Sequence, residues 1–313
     1  MLRGRVALSD PKIAGFIEKN YVVAVGEHMQ LTRGELRDWF LPEVRRANPQ
    51  YAGASTQGYY LLTADGKAYA FDNYPPRLPT YLETGVARFR RMPKVEAGIT
   101  DADIRKAAPK EPPAGASVLR VYSRACADGS KECIAGTYLA RDYMWVLQDE
   151  VRAIVRAGET AREFAMPPAL VGRLVTFHMV DGTRGQVWPW RPDATSKAVF
   201  RAKPAGNDGS VRKFTFTGGY AKQDSHPPQW SDRGDEGTLE GEFEIDTRSM
   251  QFTRFRAYGE GKAWSDATYS PVSPPPRGRY TMLRAIVEAN DELARQVTPE
   301  PAGTGQYYLR GGR

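Results

Sequence analysis

The chain has 313 residues, of which 41% are hydrophobic and 26% charged, a composition typical of a globular protein with two domains. Its net charge of +7 comes from basic residues scattered along the sequence, which argues against nucleic acid as a partner because no basic stripe with interleaved aromatics is present. No stretch reaches the roughly 18–20 apolar residues of a membrane span, and the first residues lack the apolar core of a signal peptide. The sequence therefore leaves the compartment open between the cytoplasm and export as a mature chain without its leader.

The first 92 residues alternate between predicted helices and predicted strands. Capping residues, apolar spacing and β-branched runs predict, in chain order, a helix over 11–20, a buried parallel strand at 21–26 (YVVAVG), a helix over 33–47, a hairpin at 58–72 and a helix at about 80–91. Ser9 or Asp10 is placed to cap the first helix ahead of Pro11, and Pro42 is expected to strain the second helix.

The stretch SDPKIAGFIEKNYVVAVG at 9–26 resembles the segment after the active-site helix start in thioredoxin-like proteins, and the order of elements matches that fold without its first strand. The resemblance implies a Cys-x-x-Cys about ten residues earlier and a cis-proline before the hairpin. Here the first place reads MLRGRVAL, or falls before the first residue, and the second reads GASTQG. Dithiol exchange needs a low-pKa thiolate with a resolving partner, so the resemblance implies a redox-inactive thioredoxin-like domain over 1–92 that acts as a scaffold or binding surface.

A linker rich in proline and alanine is predicted over 93–117, with a short helical piece at 100–107, and a β-rich α+β domain over 118–313. The elements predicted in this domain are, in chain order, a strand at 119–125, a helix over 142–158 capped by Asp142, a short helix at 167–173, a strand at 173–181, strands at 198–206 and 211–221, a hairpin at 238–261 and a last segment at 278–291. The glycines of GGY at 218–220 and GEG at 259–261 are interpreted as turn residues. The predicted fold class is an α/β thioredoxin-like domain followed by an α+β, mostly antiparallel β domain.

Two segments of the second domain resemble a family of uncharacterised bacterial proteins that join a thioredoxin-like N-terminal part to a β-rich C-terminal domain. These segments are RLVTFHMVDGTRGQVWPW at 173–190 and LEGEFEIDTRSMQFTRFRAYGEG at 239–261. The resemblance covers most of the chain through loose motifs. It implies no activity and no catalytic residue.

The densest collection of chemistry-bearing side chains lies around the predicted strand 173–181 and the turn that follows it. His178 is the best candidate for a general base, Asp181 is placed to orient it, and Arg184 is able to hold an anion through two hydrogen bonds. Candidate ligand-binding residues, for a small molecule, a sugar or a peptide, are Arg173, Trp188, Trp190 and Tyr220. The competing interpretation is structural: a turn aspartate bonded to its own backbone, a strand-end histidine in a polar network, and tryptophans that close the end of a sheet.

Metal binding has two weak signals in the sequence, and the metal and cofactor stay unknown. His28-Met29 and His178-Met179 offer the imidazole and thioether that suit copper(I), but neighbours in a strand point to opposite faces and do not easily chelate one ion. A row of acids alternates along one predicted strand and forms either a cation site or a solvated face: Glu240, Glu242, Glu244 and Asp246.

The two cysteines, Cys126 and Cys133, are separated by a short polar loop. They form either a disulfide, with a chain-entropy contribution of roughly 2–3 kcal/mol, or two free thiols. The sequence carries no nucleophile elbow, no phosphate-binding loop and no dinucleotide-binding glycine motif.

Two functional hypotheses stand side by side. The first is a redox-inactive thioredoxin-like scaffold or binding protein with a ligand site near the His/Arg/Trp cluster. The second is an enzyme, either a hydrolase or a metal-dependent oxidoreductase that uses copper, with His178 at its centre.

Overall fold

The computed structural model describes residues 10–23, 31, 37–49, 58–94, 111–132, 134, 139–183, 190–191, 193–226, 230–265, 278–289, 291–299, 301 and 306–312. The chain divides into two compact units, Met1–Ala108 and Pro109–Arg313. Among these residues, every helix is too short or too polar to cross a bilayer. The helical piece predicted at 100–107 lies outside the described residues.

The described residues of the first unit include a β-hairpin and three helices. Its elements are α1 (Pro11–Asn20), α2 (Arg37–Ala47), β1 (Tyr59–Leu62), β2 (Ala68–Asp72) and α3 (Leu78–Phe89), the last preceded by a 3₁₀ turn at Pro75–Arg77. The Asp10 carboxylate accepts a hydrogen bond from the Lys12 N–H at 2.8 Å and so begins α1, as the sequence predicts. Leu61, Leu78 and Leu82 form the buried centre on which the hairpin and helices pack.

The buried parallel strand predicted at 21–26 is wrong over the part that the structure describes. Residues 21–23 belong to neither a helix nor a strand, and the Val22 side chain is fully exposed. The segment is fastened by a side chain instead, because the Tyr21 hydroxyl donates to the Leu82 carbonyl at 2.6 Å. The sheet of this unit consists of β1 and β2 alone among the described residues, so the thioredoxin-like order is not established.

The second unit is built on one antiparallel sheet of eight strands, which makes the protein mostly a β-sheet protein with some helices. In chain order the strands are β3 (Ser117–Cys126), β4 (Ala140–Val146), β5 (Phe164–Ala165), β6 (Thr195–Asp208), β7 (Val211–His226), β8 (Trp230–Asp246), β9 (Gln251–Ser265) and β10 (Arg279–Glu288). Their order across the sheet is β4-β3-β10-β9-β8-β7-β6-β5. The helices are α4 (Gln148–Thr160), α5 (Pro168–Arg173), α6 (Glu292–Gln296) and α7 (Gln306–Leu309).

The core lies against one face of this sheet because apolar residues alternate along the strands. Phe214 of β7 stacks on Phe243 of β8 with ring centroids 5.0 Å apart, and Phe243 in turn stacks on Phe255 of β9 at 5.8 Å. Helix α4 buries Val151 and Ile154 in the same cluster. The alternation predicted for the central strands is confirmed by this inward row.

The helix predicted to begin at Asp142 begins six residues later. Residues 140–146 form β4, which pairs with β3 from Ser117 opposite Val146. Glu150 ends this strand and starts α4, because its carboxylate accepts the Leu147 N–H at 2.9 Å. The strand packs on both faces, with Tyr143 and Trp145 on one and Met144 and Val146 on the other, and this tertiary packing overrides the helical pattern.

The strand predicted at 173–181 is a helical segment. Helix α5 runs directly into a π-helical turn at Leu174–His178, closed by a hydrogen bond from the Met179 N–H to the Leu174 carbonyl at 2.9 Å. All five residues of the turn are buried. The β-branched residues here therefore fill the core rather than pair in a sheet, and the predicted strand faces of Thr176 and His178 do not apply.

The glycines at 218–220 and 259–261 are not turn residues, because they lie inside β7 and β9. A Cβ atom on Gly237 of β8 would come within 2.8 Å of Gly261 Cα, so these strands approach too closely for side chains. Glycine at positions 237 and 261 permits the close approach of the two strands.

Candidate functional site

The inward face of the sheet changes from aromatic to charged along the same strands. The alternation that turns Phe214 and Phe216 inward continues along β7 to polar residues, and the same happens on β8 and β10. The buried polar residues at this end, together with those that pack on them, form what we term the ionic cluster: Asp181, Trp190, Tyr220, Lys222, Asp224, Arg233, Asp235, Tyr280 and Arg284.

Asp235 lies at the centre of the ionic cluster. Its Oδ1 accepts a hydrogen bond from the Tyr220 hydroxyl at 3.0 Å, and its Oδ2 accepts one from Arg284 Nη2 at 2.5 Å. Lys222 Nζ is 3.7 Å from the same Oδ2. Three strands are thus joined through one buried carboxylate.

Lys222 connects the ionic cluster to the π-helical turn. Its fully buried Nζ donates to the Val175 carbonyl at 2.9 Å and also to the Met179 carbonyl, and it lies 4.4 Å from the centre of the Trp190 ring. Burial lowers the pKa of Lys222 to about 7; Arg284 and Arg233 lower it further, whereas Asp235 opposes the shift. Lys222 therefore holds the two ends of the turn together through its hydrogen bonds, although burial disfavours the charged form of its amine.

Two further carboxylates complete the ionic cluster. Asp224 accepts from Arg233 Nη2 at 3.3 Å, and the Arg233 guanidinium lies 4.0 Å from the Trp190 ring centre. Asp181 accepts from the Thr183 hydroxyl at 2.6 Å and N–H at 3.0 Å, and from the Tyr280 hydroxyl at 2.7 Å. Asp181 is therefore a turn aspartate that also bonds to the sheet.

Several donors of the ionic cluster have no acceptor within the described part of the chain. They are Arg284 Nε, Arg284 Nη1 and Trp190 Nε1, all buried. Buried donors are almost always paired in folded proteins, so each such group calls for an explanation. Trp190 is held on the cluster by its ring contacts with Lys222 and Arg233.

His178 belongs to a second buried group on the other side of the π-helical turn. Its Nδ1 lies 2.9 Å from Asp142 Oδ2, and its Nε2 lies 3.0 Å from the Tyr308 hydroxyl. The Tyr308 hydroxyl also accepts the Trp145 N–H at 3.2 Å, so His178 is bonded at both ring nitrogens within one buried series. Asp142, and not Asp181, orients His178, because the helical turn places the two aspartates apart.

Arg173 is an anchor and not a ligand-binding residue in this arrangement. Its Nη1 and Nη2 make a bidentate pair with Glu150 at 2.9 and 3.1 Å. The same guanidinium donates to the carbonyls of Trp145, Tyr308 and Leu309. All five of its donors are used, which fastens α7 to α4 and β4 and leaves nothing for a ligand.

The structure separates the site residues predicted from the sequence into two groups. Asp181, Trp190 and Tyr220 meet in the ionic cluster, whereas Arg173 and His178 meet at Tyr308. Arg184 and Trp188 lie outside the described residues. The sequence analysis does not identify the charged members Lys222, Arg233, Asp235 and Arg284. Inward-facing residues alternate along each strand, so counting in steps of two from Phe216 on β7 reaches Lys222, and from Leu239 on β8 reaches Asp235 and Arg233.

The row of acids on β8 lies on the solvent-facing side of the sheet. Glu242 pairs with Arg254 at 2.8 Å, and Glu244 lies 3.9 Å from the same guanidinium. Among the described residues, no three His, Cys, Asp or Glu side chains are close enough to hold a metal ion. His28 and Met29 lie outside the described residues.

Cys126 is buried at the end of β3, and Cys133 lies outside the described residues. The arms of the intervening loop are joined by hydrogen bonds from Ala127 N–H to the Glu132 carbonyl at 2.9 Å and from Ile134 N–H to the Ala125 carbonyl at 3.2 Å. The disulfide and the two free thiols both stay open, and non-reducing mass spectrometry of a tryptic digest distinguishes them. If the disulfide forms, the two cysteines are found in one linked peptide. Two separately alkylated thiols would contradict it.

Comparisons with protein-family models, with curated proteins and with solved structures found no match for this chain. The thioredoxin-like resemblance and the resemblance to an uncharacterised bacterial family therefore stay predictions. The two candidate sites described above, the ionic cluster and the His178 group, both lie in the second unit.

Proposed function

We propose that this protein is a small-molecule binding protein whose ligand site is the ionic cluster of the second unit. The observation that carries the proposal is the change of the inward sheet face from phenylalanines to buried ions along unbroken strands. Buried ion pairs add little net stability, and well-packed apolar residues in their place are often as good or better. We infer that this fold keeps such a group, at the expense of stability, because the group binds a ligand.

The position of the ionic cluster favours a small molecule over a peptide or a polysaccharide. Its members are at most a few per cent exposed, and the π-helical turn and Trp190 lie over them. A ligand there is enclosed, and is held by charged and aromatic side chains on rigid strands. On the exposed face of β8, by contrast, Glu242 is paired with Arg254 in solvent.

We expect a thermal-shift screen of small molecules to find compounds that stabilise the wild type and not a variant whose cluster is apolar. The variant is Lys222→Met/Asp235→Leu/Arg284→Met, which is expected to fold because the ions are replaced together. A ligand present at a concentration of 100 times its Kd is expected to raise the free energy of unfolding by about 2.7 kcal/mol.

The matched control for this screen is Glu242→Leu/Arg254→Met, an ion pair of the outer face. It should keep the full ligand response. If the compounds stabilise the apolar variant as well as the wild type, the ionic cluster is not the site; Asp235→Asn serves as a milder variant if the triple change prevents folding.

A second candidate function is an enzyme with His178 at its centre. The hydrogen-bonded series Asp142–His178–Tyr308 favours it, since a general base needs an imidazole held in a fixed orientation. Tyr308 is completely buried, however, so the series supports packing as well as chemistry. Chemical conversion of a screened compound by the wild type would favour the enzyme, and recovery of all compounds unchanged would favour binding.

For the first unit we keep the proposal of a redox-inactive thioredoxin-like scaffold. The hairpin β1–β2 and the helices α1 and α3 support it by their order along the chain. The exposed segment at 21–23 speaks against the buried parallel strand that this fold requires. Copper binding through His28 and Met29 stays a separate proposal from sequence.

A further inference from the structure

The guanidinium of Arg284 carries donors that the described part of the protein does not use. Nη2 donates to Asp235, whereas Nε and Nη1 have no acceptor, and the side chain is about 1% exposed. A guanidinium has five N–H hydrogens, one on Nε and two on each Nη, so three of them stay unused on these two nitrogens. Because an unpaired buried donor is strongly unfavourable, Arg284 marks a place for an acceptor that is not among the described residues.

The guanidinium of Arg284 favours an acceptor that is negative, because charge-assisted hydrogen bonds are stronger than neutral ones. The buried ions of the ionic cluster number three cations and three carboxylates: Lys222, Arg233 and Arg284, with Asp181, Asp224 and Asp235. The carboxylates already accept hydrogen bonds, Asp235 from Tyr220 and Asp181 from Thr183. An added anion would meet the donors of Arg284 that these carboxylates leave unused.

We propose that Arg284 binds the carboxylate of a small molecule in the ionic cluster, with Lys222 as the second cation beside it. This inference rests on the proposed function and names the chemical class of its ligand. Arg284 Nη2 and Lys222 Nζ lie 2.5 and 3.7 Å from one Asp235 oxygen, so the two cations are neighbours on the same carboxylate. Guanidinium–carboxylate hydrogen bonds are charge-assisted and roughly twice as strong as neutral ones.

Lys222 gives the binding a characteristic dependence on pH. The groups that face it are Asp235, Arg233, Arg284 and Tyr220, and burial lowers the pKa of Lys222 to about 7. A carboxylate nearby favours the charged amine and raises that pKa on binding. The protein therefore takes up protons when the ligand binds near neutral pH, and affinity falls as the pH rises above 7.

The test is titration of the whole chain with acetate, succinate, benzoate, phosphate, chloride and the neutral amide benzamide, at constant ionic strength. Thermal shift and calorimetry in two buffers of different ionisation enthalpy report affinity and proton uptake. We expect at least one carboxylate to bind, with proton uptake, and Arg284→Met to weaken it at least tenfold. Arg284→Lys keeps the charge without the fork of donors and should also weaken it at least tenfold.

The control is Arg254→Met, an arginine of the outer face, which should bind as the wild type does. Equal binding by Arg284→Met and the wild type, or selective binding of benzamide, phosphate or chloride alone, overturns the carboxylate inference. If a neutral compound from the wider screen binds and loses affinity in the apolar cluster variant, the proposed function stands and this inference falls. If no compound of any class binds, both fall.

Discussion

Replacing Arg173 by Met is expected to lower the free energy of unfolding by about 3–5 kcal/mol. The change leaves the Glu150 carboxylate buried opposite an apolar side chain, and the carbonyls of Trp145, Tyr308 and Leu309 lose their donor. Removing one partner of a buried pair costs far more than the pair contributes, because the remaining charge is stranded. Urea denaturation followed by tryptophan fluorescence measures the loss.

The same change is expected to release α7 before the sheet unfolds. The amides of Arg310, Gly311 and Gly312, which bond to carbonyls within 306–308, should then exchange their hydrogens rapidly. The matched control is Arg152→Met on α4, whose guanidinium is half-exposed beside Asp149 and should cost less than about 0.5 kcal/mol. A loss below about 1 kcal/mol in Arg173→Met, with exchange unchanged, would contradict the anchoring role.

Replacing Lys222 by Met is expected to change how stability depends on pH. The pKa of Lys222 is lowered to about 7 in the folded protein, chiefly by burial, from 10.5. Between pH 7 and about 10 the unfolded chain therefore holds a proton on this amine that the folded chain does not, so wild-type stability rises with pH. Below pH 7 the penalty of burying the charge is complete and constant.

As the pH rises through that window, the free energy of unfolding of the wild type is therefore expected to increase relative to that of Lys222→Met. The increase is about 1.4 kcal/mol for each pH unit, or about 4 kcal/mol in all. Burial raises the pKa of Tyr220 and Tyr308, so their effect on stability appears above pH 10 and lies outside the window. Denaturation curves at pH 6, 7, 8, 9 and 10 provide the comparison. Lys203→Met, a half-exposed lysine of β6, is the control and should run parallel to the wild type; parallel curves for Lys222→Met would refute the buried, shifted amine.

Local patterns predicted the long strands well, because their side chains alternate between core and solvent. Phe214 and Phe216, or Phe243 and Ile245, show this period directly in the sequence. The segment 173–181 shows where such patterns fail. Its β-branched and aromatic residues favour a strand, but none of the described strands pairs with them. Instead Lys222, from a distant part of the chain, donates hydrogen bonds to the carbonyls of Val175 and Met179.

The candidate site was predicted in part, for a related reason. Trp190, Tyr220 and Asp181 were chosen as unusual residues and do meet, but Lys222 and Arg284 look like ordinary surface residues in a linear sequence. Charged residues are rarely buried unless paired, and the pairs here join β7, β8 and β10 across the sheet. Only the register of the strands reveals them. The sequence also pairs His178 with Asp181, which is wrong, because the aspartate bonded to His178 is Asp142.

The way α7 lies along β4 also affects how the protein behaves among other copies of itself. β4 is the last strand on its side of the sheet, and Trp145 turns its N–H and carbonyl away from β3. An edge strand with unpaired N–H and C=O groups can pair with a strand of another molecule and so start aggregation. Here the Tyr308 hydroxyl and the Arg173 guanidinium occupy those two groups, so at Trp145 a foreign strand finds neither a donor nor an acceptor to pair with.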